Sequence, residues 1–183
     1  MSYCTIIPTL KPESRRVLHQ HYHDNHYGFP IHDDNELFGR LIMEINQAGL
    51  SWETILRKEN AFRAAYDQFD VAKVATYGEA DRNRLLADAG IIRNRLKINA
   101  AIENAKAIVA IQRDYGSFEQ WLNHHHPLPL SDWMKLFKKT FKFTGGEIVN
   151  EFLMSTGYLP GAHDADCPIH STILKTKPKW AAG

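Results

Sequence analysis

The sequence lacks long apolar runs and has very little cysteine. Among its 183 residues there are two cysteines and no stretch long and apolar enough to cross a membrane. The first residues, MSYCTIIPTLKPESRR, lack the apolar core of a secretion signal. Because Cys4 and Cys167 lie near opposite ends, they do not form the dense cysteine framework of a secreted disulfide protein. We therefore expect a cytoplasmic protein that does not enter a membrane.

The sequence also has no large excess of positive or negative charge. The 22 Lys and Arg residues nearly balance the 21 Asp and Glu residues, and the formal net charge is +1. This balance excludes a global electrostatic attraction to nucleic acid, so any DNA contact must use a local basic patch. Apolar residues make up 44% of the chain, and neither a repeat nor a linker divides it. We expect one globular domain over residues 1–183 and no obligate protein partner.

Strand-like alternation of apolar and polar residues is nearly absent, and the chain instead reads as successive capped helices. This pattern predicts an all-α fold. The expected helices cover 12–22, 34–49, a short segment from 52, 61–69, a start at 70, 79–90, 94–115, 117–123, 132–139 and 147–156. In the second of them, apolar residues recur at helical spacing, at Leu37, Phe38, Leu41, Ile42, Ile45 and Ala48.

A candidate nucleic-acid contact lies within residues 80–112. One helix is expected to stop at Gly90, where glycine permits a tight turn, and the next helix starts among Arg93, Arg95 and Lys97. The free N–H groups and positive dipole at a helix start suit a phosphate. The segment resembles the helix–hairpin–helix of DNA glycosylases. A plain helical turn with solvated basic residues is the alternative that this pattern leaves open.

Glu44 is the candidate catalytic residue. On a helical wheel it falls at the edge of the apolar face, where a carboxylate is poorly solvated and needs a partner. One interpretation pairs it with Arg40, four residues earlier. The other directs it into a pocket next to Trp52, whose ring could stack on a displaced base. Spacing alone leaves both possibilities open, and a core position remains an alternative for Trp52.

Two cysteines and two histidines form a candidate metal site. His163 and Cys167 are four positions apart, and Cys4 and His23 lie far from them in sequence. Together they make a Cys₂His₂ set of the type that zinc prefers. With ten histidines in the chain, chance pairing is an equally available explanation.

Several segments, in one order along the chain, resemble the 3-methyladenine DNA glycosylase I family, bacterial repair enzymes of the helix–hairpin–helix superfamily. They extend over residues 4–167, and the blocks QAGLSW and DAGIIR are long and specific. The matching residues are Cys4, Tyr22–Asn25, Gly28, Glu44, Gln47–Trp52, Gln68–Asp70, Asp88–Arg93, Lys97, Phe141–Phe143, Gly145, His163 and Cys167.

The resemblance implies a cytoplasmic, nucleoid-associated enzyme that hydrolyses the N-glycosidic bond of 3-methyladenine in alkylated duplex DNA. It implies that Glu44 is catalytic and that one structural zinc per chain ties the terminal segments together through Cys4, His23, His163 and Cys167. No lysine is nominated as a Schiff-base nucleophile, so a monofunctional enzyme is expected. The residues expected to bind the base are Tyr22, Tyr27, Asn46 and Trp52. Those expected to contact DNA are Gly49, Leu50, Gly90, Ile91, Ile92, Arg93, Arg95 and Lys97.

Differences from the family pattern gather around the expected pocket. They occur at Ile6, His19, His26, Tyr27, Ile45, Asn46, Asn150 and Met154. Because they change stacking area and hydrogen-bonding groups together, a second hypothesis is a divergent relative that binds DNA or another modified base with little 3-methyladenine release. A third is a zinc-stapled helical interaction module without a role on DNA, which a DNA-affinity measurement at two salt concentrations would distinguish.

Overall fold

The computed structural model describes residues 2–182, and within that range the regular structure is entirely helical, as predicted. The α-helices are α1 Tyr3–Ile6, α2 Glu13–Asn25, α3 Asp34–Gln47, α4 Trp52–Ala65, α5 Val71–Val74, α6 Glu79–Ala87, α7 Arg95–Tyr115, α8 Phe118–His125, α9 Leu130–Thr140, α10 Gly146–Ser155 and α11 Pro168–Lys175. Short 3₁₀ turns occupy Ile7–Thr9, Asp67–Phe69 and Lys179–Ala181. No helix in the described range is long and apolar enough to cross a membrane.

Side-chain caps set the starts of the helices that surround the site. Asp33 accepts a hydrogen bond from the Glu36 N–H at the start of α3, and Ser51 accepts one from Thr54 at the start of α4. Asn94 does the same for the Lys97 N–H at the start of α7. Each cap satisfies an N–H group that has no partner within its own helix. The sequence predicted all three starts to within one residue.

Helix α3 is the centre of the molecule. It contacts α4, α5, α7, α8 and α10. The predicted apolar face at Leu37, Phe38, Leu41, Ile42 and Ile45 is buried in the main core. Burial of each such side chain stabilises the fold by roughly 1.5–3 kcal/mol before the entropy cost of ordering it. Ala48 is an exception, because α3 ends before it and leaves it half-buried.

Several boundary predictions were wrong. Helix α2 ends at Asn25 rather than at Tyr22, and α3 ends at Gln47 rather than at Gly49. The expected short helix at Trp52 and the expected helix at 61–69 are one helix, α4, which ends at Ala65. The chain cannot continue as a helix beyond this point, because residues 67–69 all have positive φ angles of 50–59°. Helix α6 ends at Ala87 rather than at Gly90, since the Asp88 side chain accepts a hydrogen bond from the Gly90 N–H and forms the turn.

Two helices near the chain ends were not predicted. Helix α1 follows a Ser2 cap, and α11 starts at Pro168, a residue that is favourable in the first turn of a helix. Both are short and carry no apolar periodicity long enough to be recognised. They place Cys4 on α1 next to Cys167 at the start of α11, so the two ends of the chain meet beside α2.

Candidate active site

A cavity of about 550 Å³ opens where α2, the end of α3, the start of α4 and α10 meet. Its volume is in the range of small-molecule sites, which is about 300–1,000 Å³. The cavity is lined by Tyr3, Tyr22, Tyr27, Glu44, Gln47, Trp52, Glu147, Asn150 and Glu151. Four of the residues that the sequence nominated, namely Tyr22, Tyr27, Glu44 and Trp52, therefore lie together at one site.

The Glu44 side chain lines this cavity and does not pair with Arg40, its neighbour on the helix. Its residue is 4% exposed, and within residues 2–182 its carboxylate has neither a hydrogen bond nor an ion pair. Arg40, the alternative partner, donates from Nη1 to the Ser155 carbonyl at 3.2 Å and lies over the Tyr22 ring. Burial raises the pKa of Glu44 to about 8, although the positive charge of Arg40 opposes the shift. A strongly shifted carboxylate in a cleft is a typical functional residue.

The aromatic wall of the cavity contains two donors without acceptors. The Tyr22 and Trp52 rings are 5.1 Å apart between centroids, and Tyr27 lies 5.7 Å from Tyr22. The Tyr22 hydroxyl and the Trp52 indole nitrogen are buried and have no hydrogen-bond partner among the described residues. An unpaired buried donor costs about 1–3 kcal/mol, so both groups lower the stability of this wall.

Two nominated residues do not have the expected surroundings. Asn46 is 1% exposed and donates from Nδ2 to the Ile42 carbonyl, so its side chain does not line the cavity. Lys97 is 5% exposed, and its ammonium donates to the carbonyls of Asn46 at 2.9 Å and Ala48 at 2.7 Å. These carbonyls lie at the end of α3, where a helix leaves acceptors unpaired. The structure therefore corrects both predictions: Asn46 is not a base contact, and Lys97 stabilises α3 instead of facing a phosphate.

The other nominated DNA contacts lie in two exposed turns. Gly49 and Leu50 connect α3 to α4 beside the cavity, with Gly49 at a φ of 83° and Leu50 39% exposed. In the turn between α6 and α7, Arg93 and Arg95 are exposed and Ile91 is buried in the core. Gly90 and Ile92 are partly buried in the same turn, which Lys58 fixes by donating to the Ala89 and Gly90 carbonyls.

The four predicted metal ligands form one cluster. The donor atoms of Cys4, His23, His163 and Cys167 lie within 4.8 Å of one another. The neighbouring sulfur–nitrogen distances are 3.2–3.8 Å. Tetrahedral zinc with its usual bond lengths requires about 3.6 Å between a sulfur and a nitrogen. The donor set and its spacing therefore fit a tetrahedral ion.

The histidines of this cluster are oriented as ligands usually are. His23 Nδ1 is 2.7 Å from an Asp24 carboxylate oxygen, and His163 Nε2 is 2.8 Å from the Tyr27 carbonyl. Such contacts fix which ring nitrogen carries the proton and leave the other nitrogen free for a metal. The free nitrogens, Nε2 of His23 and Nδ1 of His163, are the ones that face the cysteines.

Sequence reasoning missed four residues that line the cavity, namely Tyr3, Gln47, Glu147 and Glu151, whereas Asn150 was among the differences expected around the pocket. Tyr3 precedes the ligand Cys4, and its hydroxyl lies 2.7 Å from His19 Nδ1. Gln47 stands inside the QAGLSW block but was not nominated for the base pocket. Glu147 and Glu151 are one turn apart on α10, a spacing that surface helices also use, so no sequence signal assigned them to the cavity.

Comparison with known proteins identifies relatives of this site and fold. A family model described as methyladenine glycosylase matches residues 13–132. The chain is 37% identical to DNA-3-methyladenine glycosylase 1 of Escherichia coli (strain K12) in an alignment of 173 residues that covers 84% of this chain and 92% of that protein. It is 33% identical to DNA-3-methyladenine glycosylase of Haemophilus influenzae in an alignment of 168 residues that covers 80% of this chain and 89% of that protein.

Comparison with solved structures identifies the same kind of protein as the sequence comparison does. The 3-methyladenine DNA glycosylase I from Staphylococcus aureus, described for its recognition of 3-methyladenine, superposes with a TM-score of 0.76 at 32% identity, covering 83% of this chain and 90% of that one. A tyrosine-to-phenylalanine variant of a 3-methyladenine DNA glycosylase I, in complex with 3-methyladenine, gives 0.78 at 30% identity and covers 92% and 97%. The chain therefore belongs to the methyladenine glycosylase family.

Proposed function

We propose that this protein is a monofunctional DNA glycosylase that hydrolyses the N-glycosidic bond of 3-methyladenine in alkylated duplex DNA. The observation that carries the proposal is the unpaired, buried Glu44 facing a cavity that Tyr22 and Trp52 also line. Family membership supplies the reaction class. Since chromosomal DNA is the substrate, we place its action in the cytoplasm, at the nucleoid of a bacterial-type cell.

The chemistry requires little from the protein beyond binding and electrostatics. Methylation at N3 gives the adenine of a nucleotide a positive charge, so the bond between C1′ and the base is already weakened. When that bond breaks, its electron pair goes to the base, which leaves neutral, and the positive charge moves to an oxocarbenium-like sugar. Water then adds to C1′ and loses a proton. No strong acid is needed to protonate the leaving base.

Glu44 is assigned to stabilise positive charge during this transfer. An ionised carboxylate in a poorly solvated cavity stabilises a neighbouring cation far more strongly than it would in water. Tyr22 and Trp52, whose rings line the cavity, would stack on the base. To reach the cavity, the nucleotide must leave the duplex, which costs a few kcal/mol and costs less for a damaged base.

We assign two exposed turns to contacts with DNA. The turn between α6 and α7 would contact the backbone, and the turn between α3 and α4 would contact the base stack. Within residues 2–182, the N–H groups of Arg95 and Leu96 have no acceptor at the start of α7, and Arg93 and Arg95 lie exposed beside them. This combination suits a phosphate, as in a helix–hairpin–helix, and binds without reading sequence. Leu50 is exposed in the turn between the cavity residues Gln47 and Trp52, and an exposed apolar side chain there suits the gap left by a displaced base.

The Cys₂His₂ cluster is assigned to one structural zinc. Four protein donors complete a tetrahedral coordination shell, so the ion would supply structural stabilisation rather than a bound water. Its position supports the pocket: Cys4 follows Tyr3, His23 follows Tyr22, and His163 contacts the Tyr27 carbonyl. Holding the four ligands together would therefore hold the aromatic wall.

The decisive experiment is release of free base from DNA treated with a methylating agent. We expect the parent protein to release 3-methyladenine and Glu44→Gln to lose at least tenfold in single-turnover rate, because the amide cannot carry negative charge. Asn46→Ala is a control, since that side chain lies outside the cavity. Release by Glu44→Gln at the parent rate would refute the role of the carboxylate. Absence of release by the parent would favour the divergent, non-excising relative.

A further inference from the structure

A second cavity, of about 490 Å³, shares only Tyr22 with the candidate active site. It is formed by the end of α2, the loop that follows, the first half of α3, and α4. Glu36, Arg40 and Met43 recur at helical spacing, so they share the face of α3 that lines this second cavity. Its volume is within the range of small-molecule sites, and the proposed function makes no use of it.

Arg40 supplies a buried positive charge to the second cavity. Its residue is 6% exposed, and within residues 2–182 its guanidinium has no carboxylate partner. Nη1 donates to the Ser155 carbonyl at 3.2 Å, and the guanidinium lies 5.2 Å from the centroid of the Tyr22 ring. In the same range, Nε and Nη2 have no protein acceptor. Because arginine does not lose its proton in proteins, this charge is available to an anion.

The other charged groups of the wall limit the charge of that anion. Arg63 donates to both oxygens of Glu36 at 2.7 Å and to Glu59 at 3.2 Å, so two carboxylates share one guanidinium. Asp33 also lines the cavity and caps α3. The wall thus contains three carboxylates beside its two guanidinium groups. This balance favours a singly charged anion over a phosphate, whose second charge these carboxylates would repel.

The uncharged part of the wall indicates the rest of the ligand. Phe29, Ile31, Met43 and Phe69 line the cavity with apolar surface, which suits an apolar body. Nε and Nη2 of an arginine form one edge of its planar fork, and such an edge matches the two oxygens of a carboxylate. Charge, fork and apolar surface therefore fit one class of compound.

We propose that the second cavity binds a small monocarboxylate with an apolar body, and that the carboxylate pairs with Arg40. The site goes beyond the proposed function and does not rest on it, because neither Glu44 nor the turns assigned to DNA take part. Arg40 is the residue that selects an anion over a neutral molecule of the same shape.

Benzoate and benzamide are suitable probes, because they have similar shapes and only benzoate is charged at pH 7. Each is titrated into full-length protein with ¹³C-labelled methionine methyl groups and followed by NMR. Met43 lines the second cavity but not the active site, so its methyl resonance, assigned with Met43→Leu, reports binding at this place. We expect benzoate to shift this resonance and to bind at least about tenfold more tightly than benzamide.

Arg40→Met tests the role of the guanidinium. The variant keeps an apolar stem and removes a buried charge, and the Ser155 carbonyl still accepts a hydrogen bond from the Gly28 N–H at 2.9 Å. We therefore expect it to fold, and to bind benzoate about as weakly as benzamide. Arg113→Met is the control: it removes an exposed arginine outside the cavity wall and should change the affinity for benzoate less than about twofold.

Several results would overturn the proposal. A tenfold preference for benzoate that persists in Arg40→Met would do so, as would benzoate binding that leaves the Met43 resonance unmoved, or no binding to the parent. Tighter binding of inorganic phosphate than of benzoate would reject the monocarboxylate class. Should Arg40→Met fail to fold, the benzoate–benzamide ratio and the Met43 shift of the parent decide. Base release from methylated DNA, measured separately, tests the proposed function on its own.

Discussion

At the scale of single residues, Glu44 combines a stability cost with the functional role that we propose for it. Its carboxyl group is buried without a partner, and its pKa is about 8 instead of its usual value near 4.5. A positively charged ligand would favour the ionised form and lower this pKa. Binding of such a ligand below pH 8 is therefore expected to release a proton.

The raised pKa of Glu44 predicts in which direction the stability of the fold changes with pH. Between about pH 4.5 and 8 the folded chain keeps a proton on Glu44 that the unfolded chain has lost, so the free energy of unfolding falls as pH rises through this window. Glu44→Gln removes the cost, and we expect its melting temperature to exceed that of the parent by a few degrees at pH 8.5. The difference should shrink toward pH 5. Thermal unfolding of both proteins across this range measures it, and a difference independent of pH would contradict the assignment.

At the scale of elements, the hairpin between α6 and α7 has one structural cation, Lys97, and two exposed cations, Arg93 and Arg95. Lys97→Met keeps the apolar stem but leaves the Asn46 and Ala48 carbonyls without a donor. Since a hydrogen bond from a charged group contributes about 1.5–3 kcal/mol, we expect this variant to lose about 2 kcal/mol or more of unfolding free energy in urea.

Arg93→Met is the matched control for that change. Arg93 is exposed at the same hairpin, so its replacement should leave stability nearly unchanged. It should weaken binding to any duplex and reduce the salt dependence of that binding by about one charge. If Lys97→Met proves as stable as Arg93→Met, the assignment of Lys97 to the end of α3 is wrong.

The packing of α3 against the turn after α4 depends on a glycine. A Cβ at Gly39 would clash with the Phe69 ring, which is 1% exposed and cannot retreat into solvent. We expect Gly39→Ala to destabilise the fold by about 1–3 kcal/mol, as overpacking does, although alanine is the better helix former.

Gly78→Ala provides the comparison for Gly39→Ala. A Cβ at Gly78 meets nothing within 4 Å, so its replacement should cost less than about 1 kcal/mol. Denaturant unfolding would measure the loss of unfolding free energy in both variants. Equal effects of the two substitutions would mean that the close contact with Phe69 does not constrain α3.

At the scale of the whole molecule, the metal cluster is expected to join the chain ends and organise the pocket. We expect about one zinc per chain in protein purified without chelators. Cys167→Ala should lose the metal, lower the melting temperature, and weaken binding of free 3-methyladenine, because Tyr3, Tyr22 and Tyr27 lie next to the ligands. Val17→Ala, an exposed change on α2, should leave all three unaffected. A metal-free protein with unchanged melting and base binding would reject this role.

The all-α fold, the helix starts at Asp33, Ser51 and Asn94, and the apolar face of α3 could be predicted from the sequence. These features follow from local rules: a capping side chain satisfies N–H groups within its own first turn, and apolar periodicity identifies the face that must be buried. The ligand set Cys4, His23, His163 and Cys167 was predicted only through the resemblance to the family, because spacing alone left chance pairing open.

Only the tertiary structure decided which polar groups have partners. Lys97 and Glu44 are both charged residues near an apolar helix face in the sequence, yet Lys97 meets two carbonyls and Glu44 meets a cavity. Glu151 enters that cavity through α10, more than a hundred residues away from Glu44 in the chain. Solvation and charge interactions depend on distances between elements, which local patterns do not contain, and these distances decide whether a carboxylate is a surface group or part of a binding site.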